Sequence, residues 1–157
     1  MRNTFDRFNG RHQDYQAARP SYAQEFLDWL GELYAPPERY TAADIGSGTG
    51  KLSAQLLAAG FRVCGVEPNP DMRGAAEALL GGDPRFSSSN GTDHDTGLPD
   101  RSVDMVAAAQ AFHWFDGPAF ARECRRILRP GGRAVLVWNV RESAPVNQAL
   151  AQVFREH

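Results

Sequence analysis

The length and composition of the chain set the first limits. It has 157 residues and a mass of 17.3 kDa, with 42% hydrophobic and 23% charged residues, which is typical of one globular domain. Seventeen Lys and Arg against 19 Asp and Glu give a formal net charge of −2, so charge does not favour nucleic-acid binding. No apolar run approaches the roughly 20 residues that span a bilayer, and the N-terminus is too polar for a secretory signal. We expect a cytoplasmic protein without nucleic-acid or membrane partners.

The two cysteines, Cys64 and Cys124, stand in apolar segments with no second Cys or His nearby at zinc-ligand spacing. They are interpreted as reduced core residues, and no metal site is predicted.

Hydrophobic periodicity and turn residues predict alternating helices and strands. In chain order, the helices are 21–33, 50–59, 70–80 and 116–128, and Val146, Leu150, Val153 and Phe154 form one face of a last amphipathic helix. The strands are 41–45, 62–67, 86–89, 100–109 and 133–138, the last of them fully buried. Such alternation predicts right-handed crossovers and one domain with a doubly wound, Rossmann-like α/β fold, its mostly parallel sheet covered on both faces. In these sheets ligands bind beyond the carboxyl ends of the strands.

A glycine-rich loop follows the first strand: Asp44-Ile-Gly46-Ser-Gly48-Thr-Gly50. Glycines let the backbone and the next helix N-terminus approach a ligand closely. The third glycine comes one residue earlier than in the dinucleotide pattern G-x-G-x-x-G, and Lys51 is followed by Leu instead of the Ser or Thr of a phosphate-binding loop. The remaining alternative is a plain tight turn.

The second strand ends in Glu67, 23 positions after Asp44. A carboxylate at this place can accept hydrogen bonds from both hydroxyls of a ribose. A solvated carboxylate without a ligand is the alternative.

Four motifs in order resemble those of the class I S-adenosylmethionine-dependent methyltransferases: Asp44 to Gly50, Glu67-Pro-Asn, Leu98-Pro-Asp-Arg-Ser-Val-Asp104 and Leu128-Arg-Pro-Gly-Gly132. The similarity covers about residues 5 to 140, and the stretches 110–116 and 15–20 are similar to a small-molecule methyltransferase-domain subfamily. The resemblance implies S-adenosylmethionine as cofactor and methyl transfer to a small-molecule acceptor.

The resemblance also implies roles for individual residues. The methionine part of the cofactor would contact Asp44, Gly46, Ser47, Gly48 and Gly50, and the ribose would contact Glu67. The adenine would be bound by Pro68, Asn69, Thr92, Asp93 and His94, with Asp93 slightly preferred over Thr92 for its amino group. Gln110 would lie between methyl donor and acceptor, His113 is a candidate general base or else packs at the next helix, and Tyr15 and Arg19 belong to an N-terminal lid or a surface arm.

The family sheet normally has seven strands, whereas this sequence ends one helix after the fifth. The fifth strand is therefore expected to be a potential exposed edge: either the sequence is a fragment, or a partner or a second copy of the chain, as a homodimer, completes this edge. Two other functions stay open. One is a non-catalytic module that binds cofactor or a partner. The other is an NAD(P)-dependent oxidoreductase, which the early third glycine disfavours.

Overall fold

A computed structural model describes residues 21–139, which form a five-stranded, fully parallel sheet in the order β3-β2-β1-β4-β5. The strands are β1 Thr41–Ile45, β2 Arg62–Val66, β3 Phe86–Ser89, β4 Val103–Ala109 and β5 Leu128–Val137. The helices are α1 Gln24–Leu33, α2 Lys51–Ala58, α3 Pro70–Leu80 and α4 Gly117–Ile127, with 3₁₀ turns at Pro37–Arg39 and Phe112–Trp114. The predicted doubly wound α/β fold is confirmed. Strands β2 and β3 lie on one side of β1, and β4 and β5 lie on the other. The strand order therefore reverses between β1 and β4, and such folds bind ligands at this point.

The core lies on both faces of the sheet because side chains alternate along the buried strands. In β4, Met105 and Ala107 pack with α1 and α2, while Val106 and Ala108 pack with α4. This double burial holds the strands in place and leaves their carboxyl ends accessible to a ligand.

Two helices begin next to that carboxyl edge with side-chain caps. The Asn69 Oδ1 atom accepts the amides of Asp71 and Met72, at 3.0 and 3.1 Å, at the start of α3. The Asp116 Oδ1 atom accepts the amide of Ala119 at 3.0 Å at the start of α4. Such caps satisfy backbone donors that a helix leaves unpaired, so they fix the chain where it enters each helix.

The fifth strand differs from its prediction in bounds and burial. The structure ends α4 at Ile127 and starts β5 at once with Leu128, so Pro130 and Gly131 lie inside the strand and Trp138 beyond it. The pairing with β4 is irregular there, and Gly131 has a φ of +81°. The strand is half-buried or exposed and not fully buried, because β5 lies at the sheet edge of the described part and pairs there with β4 alone.

Smaller differences concern single residues. Trp29 in α1 is 48% exposed, because Leu27 and Leu30 form the buried face of that helix. Both cysteines are free, but only Cys124 is a core residue, whereas Cys64 is half-buried. The predicted helix through Val146 lies outside the described residues. In the part of the chain that is described, no helix is long and apolar enough to cross a membrane.

Candidate functional site

A cavity of about 150 Å³ opens at the carboxyl ends of the central strands. Its walls come from the glycine loop after β1, the loops after β2 and β3, and the segment after β4. The lining residues are Gly46, Gly48, Glu67, Pro68, Asn69, Met72, Gly91, Thr92, Asp93, Gln110, Ala111, Trp114 and Phe115.

The glycine loop packs tightly between two elements. The amides of Gly46 and Ser47 donate to the Val66 carbonyl at 2.8 and 3.2 Å, which joins the loop to β2. Gly46 has a φ of +70°, and a Cβ there would lie 2.8 Å from the Cβ of Ala111. Gly50 instead lets the start of α2 approach α3, and it does not line the cavity. The plain-turn alternative therefore explains Gly50 but does not explain the cavity-lining glycines.

The Glu67 carboxylate is buried at the cavity wall and is 7% exposed. Its two oxygens accept the amides of Gly48 and Asn69, each at 2.9 Å. Burial raises the pKa of this carboxyl, although both hydrogen bonds act against the shift. The alternative of a solvated carboxylate is wrong. A carboxylate has about four acceptor positions, so Glu67 keeps lone pairs for a ligand hydroxyl.

Asp44 lies on the other side of the glycine loop and is fully buried. It lines a second, smaller pocket of about 30 Å³ together with Ser47 and Lys51. Its Oδ2 atom accepts the Ser53 hydroxyl at 2.7 Å. Burial raises the pKa of Asp44 to about 6, against the hydrogen bonds of Ser53 and with a contribution from the charge of Glu67.

Arg73 ties the loops after β2 and β3 together. Its Nη1 atom donates to the carbonyls of Glu67 and Pro68, at 2.8 and 3.3 Å, and to the Asn90 Oδ1 atom at 3.1 Å. Sequence reasoning missed this residue, because an arginine six positions after Glu67 stands out only once α3 is placed. The Asn69 side chain, predicted at the adenine, lines the cavity while also capping α3.

The loop after β3 brings Thr92 and Asp93 to the cavity. The Asp93 Oδ2 atom accepts the amide of Asp116 at 3.1 Å, which connects this loop to the start of α4. The other oxygen lies 3.0 Å from Nδ1 of His94, whose side chain is 56% exposed and does not line the cavity.

The segment after β4 supplies the fourth wall. Gln110 has a φ of +56°, uncommon for a residue other than glycine, and its amide donates to the Val137 carbonyl at 2.8 Å. Phe115 packs on Phe120 of α4, as expected for a stretch that covers the next helix. Trp114 lines the cavity and is 47% exposed, whereas His113 is exposed, lies 4.9 Å from the Trp114 ring and does not line it.

The structure thus brings most predicted residues together. Those that line the main cavity are Gly46, Gly48, Glu67, Pro68, Asn69, Thr92, Asp93 and Gln110, while Asp44 and Ser47 line the smaller pocket. Gly50, His94 and His113 line neither, and Tyr15 and Arg19 lie outside the described residues. Met72, Ala111 and Phe115 were missed as lining residues, since apolar side chains carry no chemical signal in a sequence.

The charge of the lining discriminates between ligands. The main cavity is lined by the carboxylates of Glu67 and Asp93, and none of its described lining residues is Lys or Arg. Such a surface suits a positively charged ligand. It offers no cation to the pyrophosphate of a dinucleotide, and the amides of Gly46, Ser47 and Gly48 in the glycine loop are already bonded within the protein.

Comparison with known proteins decides the family. A family profile described as "Methyltransferase domain" matches residues 43–136. An uncharacterized methyltransferase from Mycobacterium bovis is 42% identical over 128 residues, which are 82% of this chain and 50% of that protein. The chain belongs to the class I S-adenosylmethionine-dependent methyltransferases.

Solved structures agree with this membership. A candidate type II methyltransferase from Anaeromyxobacter dehalogenans superposes with a TM-score of 0.67 at 36% identity, over 87% of this chain and 57% of that one. A SAM-dependent methyltransferase from Aquifex aeolicus, at 21% identity and a TM-score of 0.64, shows the same fold. This methyltransferase chain spans about half the length of the curated relatives it matches.

Proposed function

We propose that this methyltransferase chain binds S-adenosylmethionine in the cavity at the carboxyl ends of β1, β2 and β4, and transfers the methyl group to a small molecule. The observation that carries the proposal is the buried Glu67 carboxylate in a cavity without Lys or Arg in its described lining. The cofactor is a nucleoside that carries a sulfonium, an ammonium and a carboxylate group, so its net positive charge suits a cavity whose described lining has carboxylates and no Lys or Arg.

The lining residues fit the parts of this cofactor. The free lone pairs of Glu67 accept the ribose hydroxyls, and Thr92 and Asp93 offer polar groups to the adenine. Asp44, in the smaller pocket, supplies negative charge for the ammonium of the methionine part. When bound, the cofactor supplies an electrophilic methyl group.

The protein's task in such a transfer is to orient the reactants and keep water away, since the donor carries its own activation. Gln110 and Trp114 line the cavity together with the polar loop residues Thr92 and Asp93. His113 is retained as the candidate base for a protonated acceptor, and its exposure leaves it open to proton exchange with solvent.

The proposal is tested by incubating the chain with cofactor labelled in its methyl group and a panel of small molecules. The panel contains compounds with hydroxyl groups, with amines and with acidic C–H groups. We expect the label in at least one acceptor, and a lower rate in the variant His113→Asn at unchanged cofactor affinity. Saturable cofactor binding without transfer to any member would favour the non-catalytic module. Tighter binding of NAD than of S-adenosylmethionine would favour the oxidoreductase.

A further inference from the structure

A buried carboxylate on α4 lies outside the cavity. Glu123 is 7% exposed, and its Oε1 atom accepts both the amide and the hydroxyl of Thr96, at 2.9 and 2.7 Å. Arg126 donates to the same carboxylate from Nε at 2.8 Å and from Nη2 at 2.6 Å. The negative charge is therefore neutralised within α4, and the oxygen that holds Thr96, Oε1, also accepts from Nη2 of Arg126.

Thr96 lies buried beneath the loop after β3 and is 1% exposed. Its carbonyl accepts the Ser89 hydroxyl at 2.7 Å, and its hydroxyl oxygen accepts the amide of Leu98 at 3.2 Å. Gly91 lies directly against the same carbonyl, because a Cβ at position 91 would collide with it. A shift of Thr96 would therefore move both ends of the loop.

The part of the loop that lines the cavity directly precedes Thr96. The amide of Thr92 donates to the Asp95 carbonyl at 2.8 Å, and the amide of Asp95 donates to the Thr92 hydroxyl at 3.1 Å. This closed turn presents Thr92 and Asp93 to the cavity and runs straight into Thr96. Helix α4 and the residue that caps it thus hold the loop at two points, at Asp93 through the amide of Asp116 and at Thr96 through Glu123.

We propose that Glu123 is a positioning residue for adenine recognition: by fixing Thr96, it holds Thr92 and Asp93 where they distinguish the 6-amino group of the nucleoside. The inference rests on the proposed function, since it takes the adenine to lie against this loop. Glu123 itself does not line the cavity and does not touch the cofactor.

The test compares two ligands that differ at one position of the base. S-adenosylhomocysteine carries the 6-amino group, whereas S-inosylhomocysteine carries a carbonyl oxygen there. By calorimetry the parent chain should bind the first about three- to tenfold more tightly, as expected for one net hydrogen bond. Glu123→Met removes the acceptor for Thr96, so the affinity ratio should fall to about one. Glu123→Gln keeps a side-chain oxygen for Thr96 and should retain most of the ratio.

A matched control removes another arginine–carboxylate pair, at the amino end of β4. Arg129 donates to Asp104 at 2.8 Å, and that carboxylate accepts the amide of Thr41 and not a group of the loop, so Arg129→Gln should keep the parent ratio. If Glu123→Met does not fold, Thr96→Val removes the hydroxyl alone and should lower the ratio partway.

The outcomes separate the two proposals. An unchanged ratio in Glu123→Met or Thr96→Val, even with a lower melting temperature, would overturn the positioning role and leave Glu123 a stability residue. A parent ratio of about one would overturn it as well. Failure of the parent to bind either ligand would overturn the proposed function, and this inference with it.

Discussion

The two sides of the cavity hold buried carboxylates in opposite ways. At the ends of β1 and β2, the hydrogen bonds that Asp44 and Glu67 accept within residues 21–139 come from neutral donors, and burial raises the pKa of both carboxyls, although the charge of Arg73 acts against the shift at Glu67. Beyond β3 and β4, Glu123 is paired with Arg126. Its pKa falls to about 2, chiefly because of the hydrogen bonds from Arg126.

The difference separates binding from architecture. A desolvated carboxylate that no cation binds directly is costly, so Asp44 would gain from a cationic ligand group, and Glu67 would gain from hydroxyls at its remaining acceptor positions. Glu123 is already neutralised and has nothing to gain from a ligand. On the proposed function, the first side would therefore attract the cofactor, and the second would fix the shape of the wall opposite.

The largest effect on stability should come from adding a side chain to the glycine loop on the first side. Gly46→Ala puts a Cβ at a φ of +70° and 2.8 Å from Ala111. Left-handed strain of about 1–2 kcal/mol and overpacking of about 1–3 kcal/mol should lower the free energy of unfolding in urea by a few kcal/mol. Gly31→Ala is the matched control, because a Cβ there meets nothing within 4 Å. It lies inside α1 and should raise stability slightly. Equal effects at both positions would contradict the packing described.

Removing the Glu67 carboxylate should weaken cofactor binding, whereas the same substitution at an exposed glutamate should not. Glu67→Ala should reduce the affinity for S-adenosylhomocysteine about 10- to 100-fold, since hydrogen bonds to a charged group are lost. Calorimetry measures this against Glu25→Ala, the same change at an exposed residue of α1. An unchanged affinity in Glu67→Ala would remove Glu67 from the site.

The raised pKa of Asp44 should make cofactor binding depend on pH. A cationic ligand favours the carboxylate, so binding releases a proton below about pH 6. The affinity for S-adenosylmethionine should rise about tenfold from pH 5 to pH 7, and Asp44→Asn should flatten the profile.

In the free protein the folded-state pKa of Asp44 lies above the unfolded-state pKa. The stability that Asp44 contributes is therefore present below about pH 3.8 and is lost as the pH rises through about 6. A profile that Asp44→Asn does not change would contradict the assignment.

The second side should respond to acid with the opposite sign and the smallest effect. Glu123 has a folded-state pKa below its ordinary value of 4.5, so its contribution is present above that pH and is lost as the pH falls towards about 2. Arg126→Gln removes the main cause, so the loss of melting temperature between pH 5 and pH 3 should be smaller than in the parent. The same loss in both proteins would show that the pair does not govern acid stability.

Sequence alone predicted the fold and the backbone-built side of the cavity, because glycine spacing and a carboxylate at a strand end are visible in one segment each. Gly46, Gly48 and Glu67 lie where the pattern placed them. The contacts of Glu123 with Thr96 join residues 27 positions apart, and those of Arg73 depend on how α3 begins. Such contacts have no local signature. The edge position of β5 was expected, but its bounds were missed because Pro130 and Gly131 are usually read as a boundary.

The most direct test of the unneutralised carboxylate side is calorimetric titration of the chain with S-adenosylmethionine and, separately, with NAD. The account predicts saturable binding of S-adenosylmethionine at one site per chain and no measurable binding of NAD. Tighter binding of NAD, or no binding of S-adenosylmethionine, would contradict it.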